Sequence, residues 1–239
     1  MDWFNFVFLV LGGLGIFLYG IHIMGDSLKL LAGTKFKLMI EKSTNTPLKG
    51  ILVGIVVTVL LQSSSGTTAL TVGLVRAGLM TLPQAVGVII GSNIGTTVTS
   101  FLIGLQIKAI ALPIMGVGSL MLFFLPKKRV KLFGTALLGF GMIFYGLDLM
   151  GNALKTITEY PIFENTMLLV ENTPVLGVVI GALLTVMVQS SSATIGLLQE
   201  LFTTGMIPMV GAVAIVLGSN IGTTVTAVLA AIGGSTAAK

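Results

Sequence analysis

This sequence predicts an all-α integral membrane fold. It consists of two inverted-topology repeats, each with a re-entrant helical hairpin and a discontinuous transmembrane helix. Three observations carry the prediction. Hydrophobic residues make up 54% of the chain and charged residues 9%, with a mean hydropathy of +1.06, whereas a soluble domain carries about a quarter charged residues. Polar phrases recur inside the apolar sequence: Gln62-Ser63-Ser64-Ser65 returns as Gln189-Ser190-Ser191-Ser192, and Gly-Ser-Asn-Ile-Gly-Thr-Thr-Val-Thr at 91–99 returns unchanged at 218–226. Laying residues 45–99 on 172–226 without a gap matches 26 of 55 positions, which marks an internal duplication. The apolar runs on either side of each Gln-Ser-Ser-Ser are too short to cross a bilayer, so they read as arms that enter and leave on one face.

Residues 4–23 form the first span, with Trp3 at an interface. Met1-Asp2-Trp3 lacks the basic start of a cleavable signal. His22, near the end of this span, reads as an interfacial residue rather than a ligand. Residues 27–42 are polar on one side and apolar on the other and predict a helix along the membrane surface. Pro47 opens a half-length run to Leu61, and residues 67–75 complete the first hairpin. Residues 82–105 are long enough to span, but Ser92-Asn93-Ile94-Gly95-Thr96-Thr97 interrupts them and predicts unwinding near 93–95. Residues 107–125 cross next and stop at Pro126 and the basic run Lys127-Lys128-Arg129.

Residues 132–150 repeat the opening helix, with Tyr19, Gly20 and Gly25 recurring as Tyr145, Gly146 and Gly151. A second hairpin (174–188 and 193–202) and a second broken helix (209–232) follow. The repeats divide as 1–126 and 127–239. The second has no counterpart of residues 107–125 and reads as truncated before its last helix.

Three crossings separate the opening helix from its repeat, since a hairpin adds none. An odd number inverts the second copy. Charge gives an independent test. Lys29, Lys35, Lys37, Lys42, Lys49, Arg76, Lys127, Lys128, Arg129, Lys131 and Lys239 fall on one side, and Lys108 and Lys155 on the other. Basic residues mark the cytoplasmic face, so the chain is expected in the cell membrane with its amino terminus outside and its carboxyl terminus cytoplasmic. Topology thus accounts for the net charge of +5, and nucleic acid is not an expected partner. The absence of Cys excludes disulfides and thiolate chemistry. Eight acids and one His show no acid–base pair, so an enzyme is the least expected class.

The repeated phrases carry the chemistry. A hairpin tip offers the free N–H groups of the helix that starts there, and Ser hydroxyls add donors, which suits an anion. An unwound helix frees carbonyl oxygens, which with Asn and Thr oxygens suit a small hard cation such as Na⁺. Gln62 and Gln189 have a donor and an acceptor each and suit either ion. No Arg or Lys lies in these phrases. A multiply charged anion then needs a cation alongside it, which favours coupled Na⁺ entry. Tight packing alone is the competing reading of the small residues.

At these residues the sequence resembles the type II sodium–phosphate cotransporter family, whose hallmark is a duplicated Gln-Ser-Ser-Ser and a duplicated Gly-(Ser/Ala)-Asn-Ile-Gly-Thr-Thr. The resemblance implies Na⁺-driven symport of inorganic phosphate across the lipid bilayer by alternating access. It implies phosphate contacts at Gln62, Ser63, Ser64, Ser65, Gln189, Ser190, Ser191 and Ser192. For Na⁺ it implies Gln62, Ser65, Thr67, Asn93, Thr96, Thr97, Gln189, Ser192, Thr194, Asn220, Thr223 and Thr224. Bacterial relatives often continue into a PhoU-like cytoplasmic helical domain, and a homodimer is a further expectation. A Na⁺-coupled carrier of another small anion (carboxylate or sulfate), an anion channel and a non-transporting scaffold stay open beside this reading.

Overall fold

The computed structural model describes residues 3–33, 46–105, 107–155 and 172–231. Every regular element among them is helical: α1 (Trp3–Ala32), α2 (Pro47–Leu61), α3 (Ser64–Arg76), α4 (Leu82–Gly104), a 3-10 turn (Lys108–Ile110), α5 (Ala111–Phe124), α6 (Lys128–Lys155), α7 (Pro174–Val188), α8 (Ser191–Thr203) and α9 (Met209–Ala231). Helices α1, α4 and α6 are long and apolar enough to cross a membrane. Large apolar side chains such as Phe4, Phe101, Phe123, Phe124 and Val175 stand exposed, as lipid-facing surface requires and as water does not allow. Among the described residues the protein is all-helical, and it is a multi-pass membrane protein.

The matched segments fold alike. Arms α2 and α7 have 15 residues each, α3 and α8 have 13, and α4 and α9 have 23. Pro47 and Pro174 sit in the first turn of their helices, where the missing N–H costs nothing.

Two expectations need correction. Helices α4 and α9 are continuous, with no unwinding at 93–95 or its repeat. The residues expected to break them instead pack them. A Cβ on Gly91 would overlap the Ile51 carbonyl, and one on Gly218 would overlap that of Val178. Gly95 lies against Ile55 O and Thr58, and Gly222 against Ala182 O and Thr185. The neighbouring hydroxyls bond within their own helix: Ser92 Oγ gives to Ile89 O at 2.8 Å, Thr96 Oγ1 to Ser92 O at 3.1 Å and Thr97 Oγ1 to Ile94 O at 2.6 Å. Small residues let helices approach closely in lipid, and this use leaves the backbone ladder intact.

The second correction concerns the surface helix expected at 27–42. Residues 27–32 continue α1, which stops at Gly33, and residues 34–42 lie outside the described residues. His22 and Lys29 both pair with Asp26, at 3.3 and 2.9 Å, across the expected junction, and such i,i+3 and i,i+4 pairs favour one helix.

The glycine contacts fix helix directions. Along the α2–α4 seam Gly87 meets Pro47, Gly91 meets Ile51 and Gly95 meets Thr58, so these helices run parallel. Along the α1–α6 seam Gly13 meets Gly146 and Met150, while Gly139 meets Gly20 and Met24. These helices are antiparallel, and the residues exchange under the 126-position shift that relates Gly13 to Gly139, Gly20 to Gly146 and Met24 to Met150. Phe17, Ile143, Leu147 and Met150 are buried in this seam, together with Ile103 and Ala193. Helix α8 packs on α4 and helix α3 on α9.

Candidate functional site

Each Gln-Ser-Ser-Ser is a helix–turn–helix corner built in the same way. Helix α2 ends at Gln62 with φ 53° and ψ 29°, and α7 ends at Gln189 with φ 58° and ψ 23°. Among the described residues these are the only non-glycines with positive φ. Glycine is the usual choice there, and a side chain held in this region marks a position where the side chain matters. The next serine caps the following helix: Ser63 Oγ accepts from Gly66 N at 3.0 Å, and Ser190 Oγ from Ala193 N at 3.2 Å.

Capping uses one orphan donor of each helix start, and the first N–H groups have no intrahelical acceptor. The hydroxyls of Ser64, Ser65, Ser191 and Ser192 make no hydrogen bond among the described residues, and Ser64, Ser191 and Ser192 are at least 93% buried. Each tip therefore gathers unspent donors at the positive end of a helix dipole. Gln62 Nε2 gives its hydrogen to Val59 O at 2.6 Å, which leaves Oε1 buried and without a partner. Gln189 Nε2 gives its hydrogen to Val186 O at 2.5 Å, and this side chain is exposed.

Behind each tip a threonine pair ties the arms. Thr58 Oγ1 lies 2.9 Å from Thr67 Oγ1, which gives its hydrogen to Ser63 O at 3.0 Å. Thr185 Oγ1 lies 3.1 Å from Thr194 Oγ1 and 2.9 Å from Ser219 Oγ, and Thr194 gives to Ser190 O at 3.2 Å. Sequence reasoning missed Thr58, Thr185 and the buried Ser219. The signal was available, since Thr58 and Thr185 are identities in the duplication.

The expected cation residues on the long helices differ in exposure. Thr96 is buried, whereas Asn93, Thr97, Asn220 and Thr224 are exposed. Asn93 and Asn220 make no side-chain hydrogen bond among the described residues. Thr96, Thr97, Thr223 and Thr224 give their hydrogens to carbonyls three or four residues back, at 2.6 to 3.1 Å. A hydroxyl whose hydrogen is spent offers only lone pairs, which suits a cation and not an anion. No hydrogen bond among the described residues joins Asn93, Thr96 or Thr97 to the Gln62–Ser65 tip.

Replacing Gln62 by glycine separates strain from function. Gln62→Gly should keep the thermal midpoint within the effect of about 1 kcal/mol, because glycine adopts positive φ freely. Ion binding at the tip should weaken roughly tenfold or more, because the amide is lost. Unchanged ion binding in that variant would make Gln62 a turn residue and nothing else.

Apolar spans around two polar, donor-rich corners define the class: a multi-pass membrane protein with paired candidate ion sites. The chain belongs to the Na⁺/Pi-cotransporter family, whose profile matches residues 16–152 and 153–238. It is 33% identical over 223 residues to the uncharacterized protein YqeW of Bacillus subtilis (strain 168), covering 93% of this chain and 72% of that one. It is 26% identical over 222 residues to the "Putative inorganic phosphate export protein YjbB" of Escherichia coli (strain K12), covering 92% and 40%. The human "Sodium-dependent phosphate transport protein 2B" is 35% identical over 100 residues, which cover 41% of this chain and 14% of that one. The chain thus spans less than half the length of these two phosphate-named relatives. No solved structure matches it significantly.

Proposed function

We propose that the protein carries inorganic phosphate across the membrane together with Na⁺, by alternating access between two inverted repeats, 1–126 and 127–239. The observation that carries this reading is the pair of matching tips, each with unspent hydroxyl and N–H donors for an anion. The spent Thr hydroxyls and the free Gln62 Oε1 supply the oxygens for Na⁺. Family membership and the names of the YjbB and 2B relatives support phosphate as cargo.

Alternating access draws support from an asymmetry. A Cβ on Gly25 would lie 3.4 Å from Gln62 Cβ, at the first tip. Its counterpart Gly151 instead faces the Glu200 carboxylate, well past Gln189 along α8. Equivalent parts thus sit in two registers, as the two halves of an inverted-repeat carrier do in one access state. Parallel α2 and α4 support re-entrant hairpins, and antiparallel α1 and α6 support the inversion.

Labelled phosphate uptake into proteoliposomes tests the reading. With Na⁺ outside, uptake should saturate and exceed that in choline roughly tenfold or more, because neutral donors alone do not offset the desolvation of a multiply charged anion. Equal uptake in both salts would end the coupling argument, and competition by sulfate or a carboxylate as strong as by phosphate would change the cargo. The YjbB name favours a second reading, outward movement; release from phosphate-loaded vesicles under an outward Na⁺ gradient addresses it in the same preparation.

Topology has its own test. A single cysteine at Lys128 should react with an impermeant thiol reagent only from the cytoplasm, and one at Glu164 only from outside. Labelling of Lys128→Cys from outside would reverse the orientation.

A further inference from the structure

The Lys108–Glu200 ion pair lies outside the two tips and has no counterpart in the first copy. Glu200 is 4% exposed, and its two carboxylate oxygens take the Lys108 ammonium at 2.8 and 2.7 Å. The carboxylate rests on Gly151, where a Cβ would collide with Oε1. A shift of 127 positions, from Gln189 back to Gln62, places Val72 and Gly73 where the second copy has Gln199 and Glu200. Gln199 gives Nε2 to Ser100 O at 3.1 Å and leaves its Oε1 buried without a partner. A cavity of about 30 Å³ borders Lys108, Gln199, Glu200 and Thr203, and one water needs roughly 10–15 Å³.

The two halves of the pair differ in freedom. The Glu200 side chain is 5% exposed, whereas that of Lys108 is 30% exposed and sits on a flexible four-carbon stem. The lysine side chain is partly open and the glutamate side chain is nearly enclosed. A buried carboxylate left without a cation is strongly unfavourable, so withdrawal of Lys108 demands a replacement charge. The groups that remain are hard oxygen donors, which favour an alkali cation over a soft metal ion.

We infer that Glu200, with Gln199 Oε1 beside it, is a seat for one small monovalent cation, which Lys108 fills as a tethered cation. The carboxylate of the second hairpin is thereby neutralised by a lysine from the turn after α4, and the first hairpin has glycine at the equivalent position, Gly73. Lys108 sets how many free cations this half of the protein takes up. The inference does not depend on phosphate as cargo.

Thermal unfolding of the purified full chain in detergent tests it, at mildly alkaline pH, without phosphate, with NaCl exchanged for choline chloride at constant ionic strength. Lys108→Gln should gain a sodium-dependent rise in midpoint of about 3 °C beyond that of the wild type. Glu200→Gln and the double variant Lys108→Gln/Glu200→Gln should show no such gain. A Lys108→Gln protein that purifies in NaCl and not in choline, while the double variant purifies in both, is the same result in another form. Three outcomes overturn the inference: a Lys108→Gln response equal to wild type (the carboxylate then takes a proton), an equal gain in the double variant, or a Lys108→Gln protein that purifies in neither salt. A phosphate-transport reading that failed would remove the sodium response of the wild type and leave this difference readable.

Discussion

Alanine at both Ser64 and Ser191 is expected to lower apparent phosphate affinity by roughly 100-fold, with each single change giving about tenfold. A hydrogen bond to a charged partner is worth about 1.5–3 kcal/mol, and 1.4 kcal/mol is a factor of ten. Both residues are buried and neither hydroxyl makes a hydrogen bond among the described residues, so their removal breaks no bond within the protein. Thermal stability should therefore change by no more than about 0.5 kcal/mol. Na⁺ binding, measured alone by calorimetry, should move less than phosphate binding, because these groups are donors at a helix start. The half-saturation constant for phosphate, taken at fixed Na⁺, is the deciding measurement. A double variant with the wild-type value would show that the tips do not hold the anion. It would leave the fold and family intact.

The helices on either side of each Gln-Ser-Ser-Ser were legible because their ends are written locally. Proline in the first turn, a polar corner and a serine cap are signals that need only neighbouring residues, and the arms α2 and α7 begin and end where the sequence puts them. The long helices were misread at 92–97 and its repeat because Gly, Ser and Thr serve two purposes in lipid. They weaken a helix taken alone, and they also allow close contact with another helix. Gly87, Gly91 and Gly95 recur every four residues on one face, opposite Gly50 and Gly54 of α2. That spacing argues for packing over unwinding. The Lys108–Glu200 pair was not legible at all, since its members are 92 residues apart and neither lies in a repeated phrase. Only the crossing of α8 over the end of α4 brings them together.

Leucine at Gly91 or at Gly218 is expected to abolish folding, the largest structural effect of any single change here. At both positions the atom that a Cβ would meet is a backbone carbonyl, of Ile51 or of Val178. A side chain can rotate away from an added methyl group, but a helix backbone has to move as a whole. Overpacking a core with extra methylenes costs about 1–3 kcal/mol when side chains yield, and separation of two helices also forfeits the dispersion contacts along their seam. With about 5–15 kcal/mol of net stability in a typical protein, a loss of several kcal/mol leaves little folded material. Alanine, which adds the Cβ alone, should already lower the midpoint by several degrees. Gly116, with nothing within 4 Å of its would-be Cβ, is the control: Gly116→Ala should leave the midpoint unchanged or raise it slightly, since alanine favours the helix. Size-exclusion profiles and thermal midpoints of the detergent-purified variants read both arms. If the glycines at 91 and 218 served to unwind their helices, alanine there would stiffen the chain and raise the midpoint. A Gly91→Ala protein that is monodisperse and as stable as wild type would therefore overturn the packing account and restore the broken-helix reading.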